Sequence, residues 1–387
     1  MRSLLKWTQR VLAMLILAAV VLVLWKKEEI GRLLAVNSLF AEDRIVANFS
    51  GMDGLFLTVP MNRGAGPVSP LPRGPAMTPP DGFDTWLTDR AVTALLVLKD
   101  GEIRHEDYYR GTGPDDRRIS WSVAKSYLSA MMGIVLEEGT IDSLDDPVTK
   151  YVPALAGSAY DGTTILNVLQ MASGVSFDED YLDFNSDINR MGRVLALGQS
   201  MNGFAAGLRD RFTEPGRQWQ YVSIDTHVIG MVIAGATGRS IPDLMQEKLI
   251  APMGLEADPL YITDGHGTAF VLGGLNLTTR DYARFGQMFL QMGEWNGQQI
   301  VPIDWVAAST EPSAPTAPGA EQYGLQWWMA PNAPDGEFYG RGIYGQYIYI
   351  NRAKGIVIAA NGADRAFRAQ GANEQNIAMF RRIADAM

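Results

Sequence analysis

A lysine lies within a segment that the sequence predicts to be a buried helix. The residues after Trp121 are almost all apolar as far as Glu137, apart from Ser122, Lys125 and two further serines. Burying an ammonium group costs several kcal/mol unless the group is paired or deprotonated. A purely structural helix has no reason to accept that cost, so Lys125 is expected to have a chemical role.

The spacing of Ser122 and Lys125 suggests what that role is. Three residues are about one turn of a helix, which brings the lysine amine next to the serine hydroxyl. A serine at a helix start also lies near free N–H groups and the positive end of the helix dipole. A desolvated lysine with a lowered pKa can take the serine proton. We therefore predict Ser122 as a nucleophile and Lys125 as its general base.

A tyrosine in a second motif would complete this chemistry. Tyr221 and Ser223 follow a Pro-Gly turn and stand just before an apolar helix. Taken alone, Tyr221 would be a core or surface aromatic residue. Together with the serine–lysine pair, its phenol could share in proton transfer, with Ser223 bonding the lysine.

A glycine-rich third motif occupies the stretch "YGRGIYGQYIYI" from Tyr339 to Ile350. It formally matches the dinucleotide-binding pattern GxGxxG, but a strand rather than a helix follows it, which argues against that reading. Glycines before a strand instead allow a substrate to approach the backbone closely. A backbone N–H there, with that of Ser122, would form an oxyanion hole.

The elements that must position these motifs lie in a simple order. A β-hairpin is predicted in "AVTALLVLKDGEIRHEDYYRG", which starts at Ala91. Helices and loops follow from about 140 to 261, and three further strands and an amphipathic helix end the chain. This order predicts an antiparallel sheet built from both ends of the domain and flanked by helices, with a helical lobe inserted.

With the three motifs in this order, the chain resembles the class C β-lactamase-related serine hydrolases, which include penicillin-binding proteins and esterases. It is most similar to the 6-aminohexanoate-dimer hydrolase and carboxylesterase-like members. The resemblance begins at about Val92 and runs to the C-terminus. The supporting stretches are "TILNVLQMASGVSFDEDYLD", "LGGLNLTTRDYARFGQMFLQMGEWNGQQIVPIDWV" and "GIYGQYIYI".

The resemblance implies a β-lactamase/transpeptidase-like α/β (α+β) fold with the site between the sheet and the helical lobe. It makes Tyr221 an assisting acid/base and gives the oxyanion N–H groups to Ser122 and Ile343. It also implies that Tyr181 contacts the substrate amide and that Ser223 is the serine of a Y-x-S element.

The third motif departs from the family pattern. β-Lactamases have K-T-G there and many esterase relatives have H-x-G, whereas Tyr344 here takes the place of a histidine and Gly345 follows it. We assign Tyr344 and Gly345 to the substrate-binding residues. Arg341 could replace the missing lysine charge, but we expect little β-lactamase activity.

Composition excludes several other classes of function. A net charge of −10 makes nucleic acid a poor partner. The chain has no cysteine, and its three histidines are not spaced as metal ligands, so neither a metal nor another cofactor is expected. There is no G-x-S-x-G motif for a Ser-His-Asp enzyme, and His227 is predicted to lie in the core. The carboxylate run at 178–180 is predicted to be solvated loop charge, although one member could bind a substrate amine.

The N-terminal part divides into two predicted segments. Residues 1–30 hold an apolar run from Val11 to Trp25 between basic residues, which predicts an uncleaved signal anchor rather than a cleaved signal. Residues 31–80 are predicted to be a linker, with some helical signal at 31–49. Their proline-rich part, 60–80, is predicted to be an extended linker or a strap over the surface. The hydrolase domain is predicted at 81–387, outside the cytoplasm of a bacterial-type cell and held by one span of the inner membrane.

These observations predict a serine hydrolase that cleaves a small ester or linear amide through an acyl-enzyme on Ser122. Two alternatives remain at this point. One is a D-amino-acid peptidase or β-lactamase-like enzyme that acts on cell-wall peptides. The other is a penicillin-recognition-type module that binds without turnover.

Overall fold

The structure is a computed structural model that describes residues 2–387, with side chains from residue 6 onward. Its strands are β1 Thr58–Pro60, β2 Val92–Lys99, β3 Glu102–Tyr108, β4 Arg118–Ile119, β5 Leu260–Ile262, β6 Leu275–Leu277, β7 Glu294–Trp295, β8 Gln298–Gln299, β9 Gln322–Tyr323, β10 Trp328–Met329, β11 Glu337–Gly342, β12 Gln346–Asn351 and β13 Ile356–Gly362. Its α-helices are α1 Arg2–Trp25, α2 Lys27–Ser38, α3 Ile45–Ser50, α4 Phe83–Asp89, α5 Ala124–Glu137, α6 Val148–Tyr151, α7 Ile165–Leu169, α8 Asp187–Ala196, α9 Met201–Gly207, α10 Ser223–Thr237, α11 Ile241–Met245, α12 Ala251–Met253, α13 Thr279–Leu290, α14 Ile303–Ser309 and α15 Ala372–Asp385.

The main sheet joins the two ends of the hydrolase domain. Its seven strands lie in the order β3-β2-β13-β12-β11-β10-β9, and every neighbouring pair is antiparallel. The β2–β3 hairpin turns through Asp100 and Gly101, which both have positive φ, as a tight two-residue hairpin requires. The predicted fold class and the antiparallel sheet from both ends of the domain are therefore confirmed.

Helices cover both faces of this sheet. Helix α13 packs on one face, where a Cβ at Gly286 would lie 2.5 Å from Val357 Cγ1, so only glycine allows the close approach. Helix α15 packs on the opposite face, with Phe380 against the rings of Tyr347 and Tyr349. Because side chains alternate along a strand, Val357 of β13 faces α13, whereas Tyr347 and Tyr349 of β12 face α15.

In sequence order, the helical lobe comes after strands β2 and β3 of the main sheet and before strands β9 to β13. Helices α6 to α12 fall within the range where the sequence predicts it, and α10 packs on α5, α6, α7 and α9. A second sheet of four short strands, in the order β1-β5-β6-β4, lies beside the lobe. This small sheet is absent from the architecture predicted above.

Residues 31–80 form a strap over the hydrolase domain rather than a free linker. Strand β1 pairs with β5, and Gly74 N donates to Ile103 O at 3.1 Å. Six apolar side chains of the strap are buried in the common core: Leu39, Ile45, Phe49, Met52, Met61 and Met77. Of the two alternatives predicted for residues 60–80, linker or strap, the structure has the strap. Residues 31–59 are packed as well, so the packed body begins well before Asp81.

The apolar stretch of helix α1 is not covered by the rest of the described chain. The stretch Lys6–Trp25 has a mean hydropathy of 2.1, and none of it is buried against the rest of the chain. A helix of this length and composition can cross a membrane.

Candidate active site

A strained turn presents Ser122 at the start of helix α5. Strand β4 leads into a single 3-10 turn, Trp121–Val123, and α5 follows directly. Trp121 has φ +42°, a conformation that is costly for a residue with a Cβ. The rings of Phe40 and Phe49 hold the Trp121 ring at centroid distances of 5.7 Å and 5.5 Å. The strap therefore supports the backbone that carries the predicted nucleophile.

Lys125 is buried one turn after Ser122, with only 2% of its surface exposed. Burial lowers its pKa to about 7, although Glu179 and Asp225 act in the opposite direction. Its Nζ donates to Thr226 Oγ1 at 3.2 Å. Among the described residues, no carboxylate forms an ion pair with Lys125. The amine is therefore set to be neutral near physiological pH, as a base must be.

Thr226 is fixed by a partner far away in the chain. Its hydroxyl donates to Gln326 Oε1 at 2.7 Å, and Gln326 Nε2 donates to Leu169 O at 2.8 Å. Because the threonine proton is used in this way, a lone pair is left to accept from Lys125. We expected Ser223 to form a hydrogen bond with Lys125. In the structure the hydrogen-bond partner of Lys125 is Thr226 instead, and Ser223 donates to Glu179.

Tyr221 lies close to both the predicted nucleophile and the predicted base. Lys125 Nζ is 5.3 Å from the centroid of the Tyr221 ring. Burial raises the pKa of Tyr221, and hydrogen bonding with Ser122 and Ser223 only partly offsets that rise. The phenol is therefore protonated at neutral pH and can donate a proton to a leaving group. Trp328 packs against it at a centroid distance of 5.3 Å.

The end of strand β11 approaches the Ser122 backbone closely. A Cβ placed on Gly342 would lie 3.0 Å from Ser122 N and 2.6 Å from Ser120 O, so only glycine fits there. Ile343 follows and lines the cleft. The chain can thus present two backbone N–H groups, those of Ser122 and Ile343, to one substrate oxygen.

A cleft of about 360 Å³ opens at this site. Its lining is Ser122, Glu179, Tyr181, Tyr221, Trp328, Arg341, Gly342, Ile343, Gly345, Tyr347, Phe367, Arg368, Asn373 and Asn376. Arg341 stacks over the Trp328 ring at 3.9 Å and pairs with Glu321 at 3.0 Å. The charge that could replace the β-lactamase lysine is therefore already paired.

Glu179 belongs to the site, although the sequence analysis grouped it with solvated loop charge. Its carboxylate accepts from Ser223 N at 2.9 Å, Ser223 Oγ at 2.5 Å and the Tyr181 hydroxyl at 2.6 Å. It thereby ties the Tyr181 loop to the start of helix α10. The only available signal was its position two residues before Tyr181, which the family resemblance had already singled out.

The other predicted substrate-binding residues separate into two groups. Tyr181 and Gly345 line the cleft. Tyr344 has φ +62° and directs its ring away from the cleft, between Phe40 and Phe367, each at a centroid distance of 4.6 Å. Tyr344 therefore braces the strap against the loop that carries Ile343, and it lines an apolar pocket beside the main cleft rather than the main cleft itself.

No described residue that lines the main cleft is a histidine, which a Ser-His-Asp enzyme would need there. His227 is buried, which lowers its pKa to about 4, and its Nε2 lies 2.9 Å from Asn202 Oδ1. It lines a separate cavity with Gly230 and Ser240. The buried Asp225, whose charge acts on Lys125, accepts from the Tyr160 hydroxyl at 2.7 Å, and burial raises its pKa to about 7.

Comparisons with known proteins give the class. The beta-lactamase family profile matches residues 86–378, and the fold is that of this family. The chain belongs to the beta-lactamase family and is a serine hydrolase. It is similar to the 6-aminohexanoate-dimer hydrolase of Paenarthrobacter ureafaciens, with 32% identity over 310 residues, or 76% of this chain and 78% of the relative.

Solved structures agree on the fold. A Bacillus anthracis protein assigned as a 6-aminohexanoate-dimer hydrolase superposes with a TM-score of 0.77 at 22% identity, covering 89% of this chain and 95% of its own. A D-stereospecific amidohydrolase from Streptomyces superposes with a TM-score of 0.57 at 19% identity, covering 74% and 96%. The resemblance inferred from the three motifs is confirmed.

Proposed function

We propose that this chain hydrolyses a small ester or linear amide through an acyl-enzyme on Ser122. The observation that carries the proposal is the buried amine of Lys125, whose pKa falls to about 7 and which lies one helical turn from Ser122 beside the Tyr221 phenol. A neutral amine in that position can act as a base, whereas a structural lysine would be ion-paired.

The proposed reaction has two halves. Neutral Lys125 takes the Ser122 proton as Oγ attacks the substrate carbonyl carbon, and the N–H groups of Ser122 and Ile343 hold the oxyanion. Tyr221 donates its proton to the departing alcohol or amine and regains one from Lys125. A water molecule, deprotonated by the same groups, then cleaves the acyl–Ser122 bond and releases the carboxylic acid.

Two observations support a linear ester or amide over a β-lactam. Arg341 is paired with Glu321 and stacked on Trp328, so it has little charge left for a β-lactam carboxylate. The relative with 32% identity is named for hydrolysis of a 6-aminohexanoate dimer, a linear amide. We extend that substrate class, and not the particular compound, to this chain.

We further propose that α1 anchors the enzyme in a bacterial inner membrane with the hydrolase domain outside the cytoplasm. Three basic residues, Arg2, Lys6 and Arg10, precede the apolar run, and excess positive charge favours the cytoplasmic side. Lys26 and Lys27 follow the run and can reach the opposite interface.

The proposal is tested by labelling with a fluorophosphonate and measuring intact mass. Wild-type protein should gain one adduct, located on Ser122 by peptide mapping, and Ser122→Ala should gain none. Ser126→Ala is the matched control, because Ser126 lies one turn later on the same helix with its hydroxyl donated to Gln326 O at 2.9 Å. The control should label normally.

Turnover is then measured on short esters, short linear amides and a β-lactam. Ester or amide hydrolysis that is lost in Ser122→Ala supports the proposal. Full hydrolysis by Ser122→Ala, or labelling of wild type at another residue, would refute it.

A further inference from the structure

A second, apolar pocket opens on Ser122 next to the main cleft. It has a volume of about 110 Å³, and Ser122, Tyr181 and Ile343 line both cavities. The remaining walls come from the N-terminal segment, helix α8 and the loop before β6: Val36, Leu39, Phe40, Phe56, Ile188, Met191, Leu195, Phe270 and Leu272 among them.

The two cavities differ in chemistry. Among the described residues that line the apolar pocket, none carries a charge. The main cleft, by contrast, contains Glu179, Arg341 and Arg368. A substrate whose carbonyl lies at Ser122 therefore meets an apolar cavity on one side and a charged cleft on the other.

The position of Tyr221 tells which half of the substrate enters which cavity. Tyr221 lines the main cleft and does not line the apolar pocket. The leaving group must lie beside the proton donor, so it occupies the main cleft. The acyl chain, which stays on Ser122 after the first step, is then directed into the apolar pocket.

We infer that the apolar pocket is an acyl-chain subsite and that the substrate is an ester or amide of an apolar acyl group. The inference rests on the proposed function and adds its substrate class. Each CH₂ group transferred from water to such a pocket gains about 0.8 kcal/mol, a factor of about four in binding. Longer acyl chains should be preferred until the pocket is full.

The wall of the pocket is also close to the proposed membrane span. Helix α1 ends at Trp25, α2 begins at Lys27, and Val36 follows in α2. At 1.5 Å per residue, the eleven residues from Trp25 to Val36 extend about 16 Å. An anchored enzyme would thus hold this pocket within reach of molecules dissolved in the bilayer.

Exposed apolar side chains beside the site also favour a position close to the membrane. Leu182 and Phe184 are 84% and 64% exposed, on the loop that follows Tyr181. Arg193 of α8 holds this loop through Phe184 O at 2.8 Å, and α8 packs on α2. We therefore commit to the bilayer as the source of the acyl substrate.

The chain-length test uses one glycine of the pocket. Gly192 lies in α8 and lines the pocket, and a Cβ built there meets nothing within 4 Å. Gly192→Leu should therefore fill the pocket without disturbing the helix. Gly207→Leu is the matched control, because Gly207 is also helical with open space around its Cβ but lines neither cavity.

The measurement is kcat/KM for p-nitrophenyl acetate and p-nitrophenyl octanoate, with the full chain reconstituted in phosphatidylcholine vesicles. Both esters have the same leaving group, and their partition into the vesicles is the same for every variant, so a change in the ratio between variants reports on the acyl pocket. The octanoate/acetate ratio should exceed ten in wild type and in Gly207→Leu, and should fall at least tenfold in Gly192→Leu. A ratio below one in wild type, or equal ratios in the two variants, would overturn the inference.

Two controls separate the possible failures. If Gly192→Leu does not fold, Val36→Phe fills the same pocket from α2 and should give the same fall in the ratio. If no ester is cleaved and Ser122 takes no fluorophosphonate, the proposed function itself fails. If Ser122 is labelled and acetate is cleaved with no dependence on chain length, only the acyl-subsite inference fails.

The source of the substrate is tested with p-nitrophenyl dodecanoate dissolved in the vesicle membrane. Wild type in the same vesicles should hydrolyse it at a higher rate than wild type in separate, ester-free vesicles mixed with the loaded ones. Equal rates in the two arrangements would reject the bilayer as the source.

Discussion

At the scale of single residues, the chemistry depends on the protonation state of Lys125. Burial disfavours its charged form, and its one described hydrogen bond goes to a neutral hydroxyl, Thr226 Oγ1. With a pKa of about 7, the amine is protonated in acid and neutral in base. Activity that requires the neutral amine should therefore fall as the pH drops below about 7, about tenfold for each further pH unit.

Replacement of Lys125 distinguishes a base from a fixed positive charge. Arginine keeps the charge but has no accessible neutral form, so Lys125→Arg should be as inactive as Lys125→Ala, at least a thousandfold below wild type. The measurement is kcat/KM of both variants on one activated ester, with folding checked by circular dichroism. A Lys125→Arg enzyme within about tenfold of wild type, a barrier change of about 1.4 kcal/mol, would reject the general-base role.

Burial of Lys125 should also lower the free energy of unfolding. Its pKa is about 7 when folded and near 10.4 when unfolded, so the unfolded state binds more protons between these values and stability rises with pH across that window. Lys125→Met should therefore stabilise the protein by several kcal/mol at pH 6.5, and by much less at pH 10.5. Urea unfolding at both pH values measures this.

The exposed Lys354 provides the control for that experiment. It pairs with Asp385 at the surface, and 40% of its side chain is exposed. Lys354→Met should change the free energy of unfolding by less than about 1 kcal/mol at either pH. A Lys125→Met variant that is less stable than wild type at pH 6.5 would show that its contacts outweigh the cost of burial.

Site residues that are close together in the sequence could be predicted, whereas partners that are far apart in the sequence could not. Ser122 and Lys125 form a pattern within one turn of a helix. Gln326 holds Thr226 across about a hundred residues of intervening chain, and such a contact leaves no local pattern in a single sequence. Glu179 was missed for another reason: a carboxylate among carboxylates gives no sign of which one turns inward.

At the scale of elements, the proposed oxyanion hole depends on the close approach of strand β11 to the start of α5. A methyl group on Gly342 would fall 2.6 Å from Ser120 O and 3.0 Å from Ser122 N, so β11 or the turn that carries Ser122 must shift, and the proposed oxyanion donors shift with it. Gly342→Ala should therefore lower kcat/KM by about 10² to 10³, the usual effect of losing one oxyanion donor. Ester hydrolysis and thermal unfolding should be measured together, so that a loss of activity is separated from unfolding.

A second glycine of β11 controls for the strain of adding a methyl group. Gly340 lies two residues earlier on the same face of the strand, and its Cβ would meet the Ser126 hydroxyl at 3.1 Å instead of the Ser122 backbone. Gly340→Ala should keep kcat/KM within about tenfold of wild type. Equal losses in the two variants would mean that β11, and not the oxyanion hole, is disturbed.

Long elements were predictable and short ones were not. The β2–β3 hairpin and strands β12 and β13 each have enough residues to show their apolar pattern. Strands β1, β4, β5 and β6 have two or three residues each, too few for any periodicity. The strap was difficult for a related reason, since prolines exclude regular structure without showing whether the chain packs or is free.

At the scale of the whole molecule, the strap links the proposed membrane anchor to the active site. Phe40 of the strap contacts Trp121, which precedes the nucleophile, and Tyr344, which follows Ile343. Both of these residues have positive φ and need support from their surroundings. The N-terminal segment is therefore part of the candidate site as well as the proposed attachment to the membrane.

Two shortened chains separate these roles. A chain that starts at Lys27 loses only α1 and keeps α2 and the strap, so it should be soluble, unfold at the same temperature as the full chain in detergent, and hydrolyse p-nitrophenyl acetate equally well. A chain that starts at Asp81 loses strand β1 and the six buried side chains of the strap. At about 1.5–3 kcal/mol for each buried side chain, that loss is on the order of 10 kcal/mol, comparable with the whole stability of a domain.

The chain that starts at Asp81 should therefore be insoluble or unfold at least 15 °C below the Lys27 chain, and its ester hydrolysis should fall at least a hundredfold. Circular dichroism melting and kcat/KM on the acetate ester measure both effects. Because both shortened chains lack α1, membrane attachment cannot explain a difference between them. If the two chains melted together and turned over the ester equally, the strap would be only a covering, and Trp121 and Tyr344 would be held by the hydrolase domain alone.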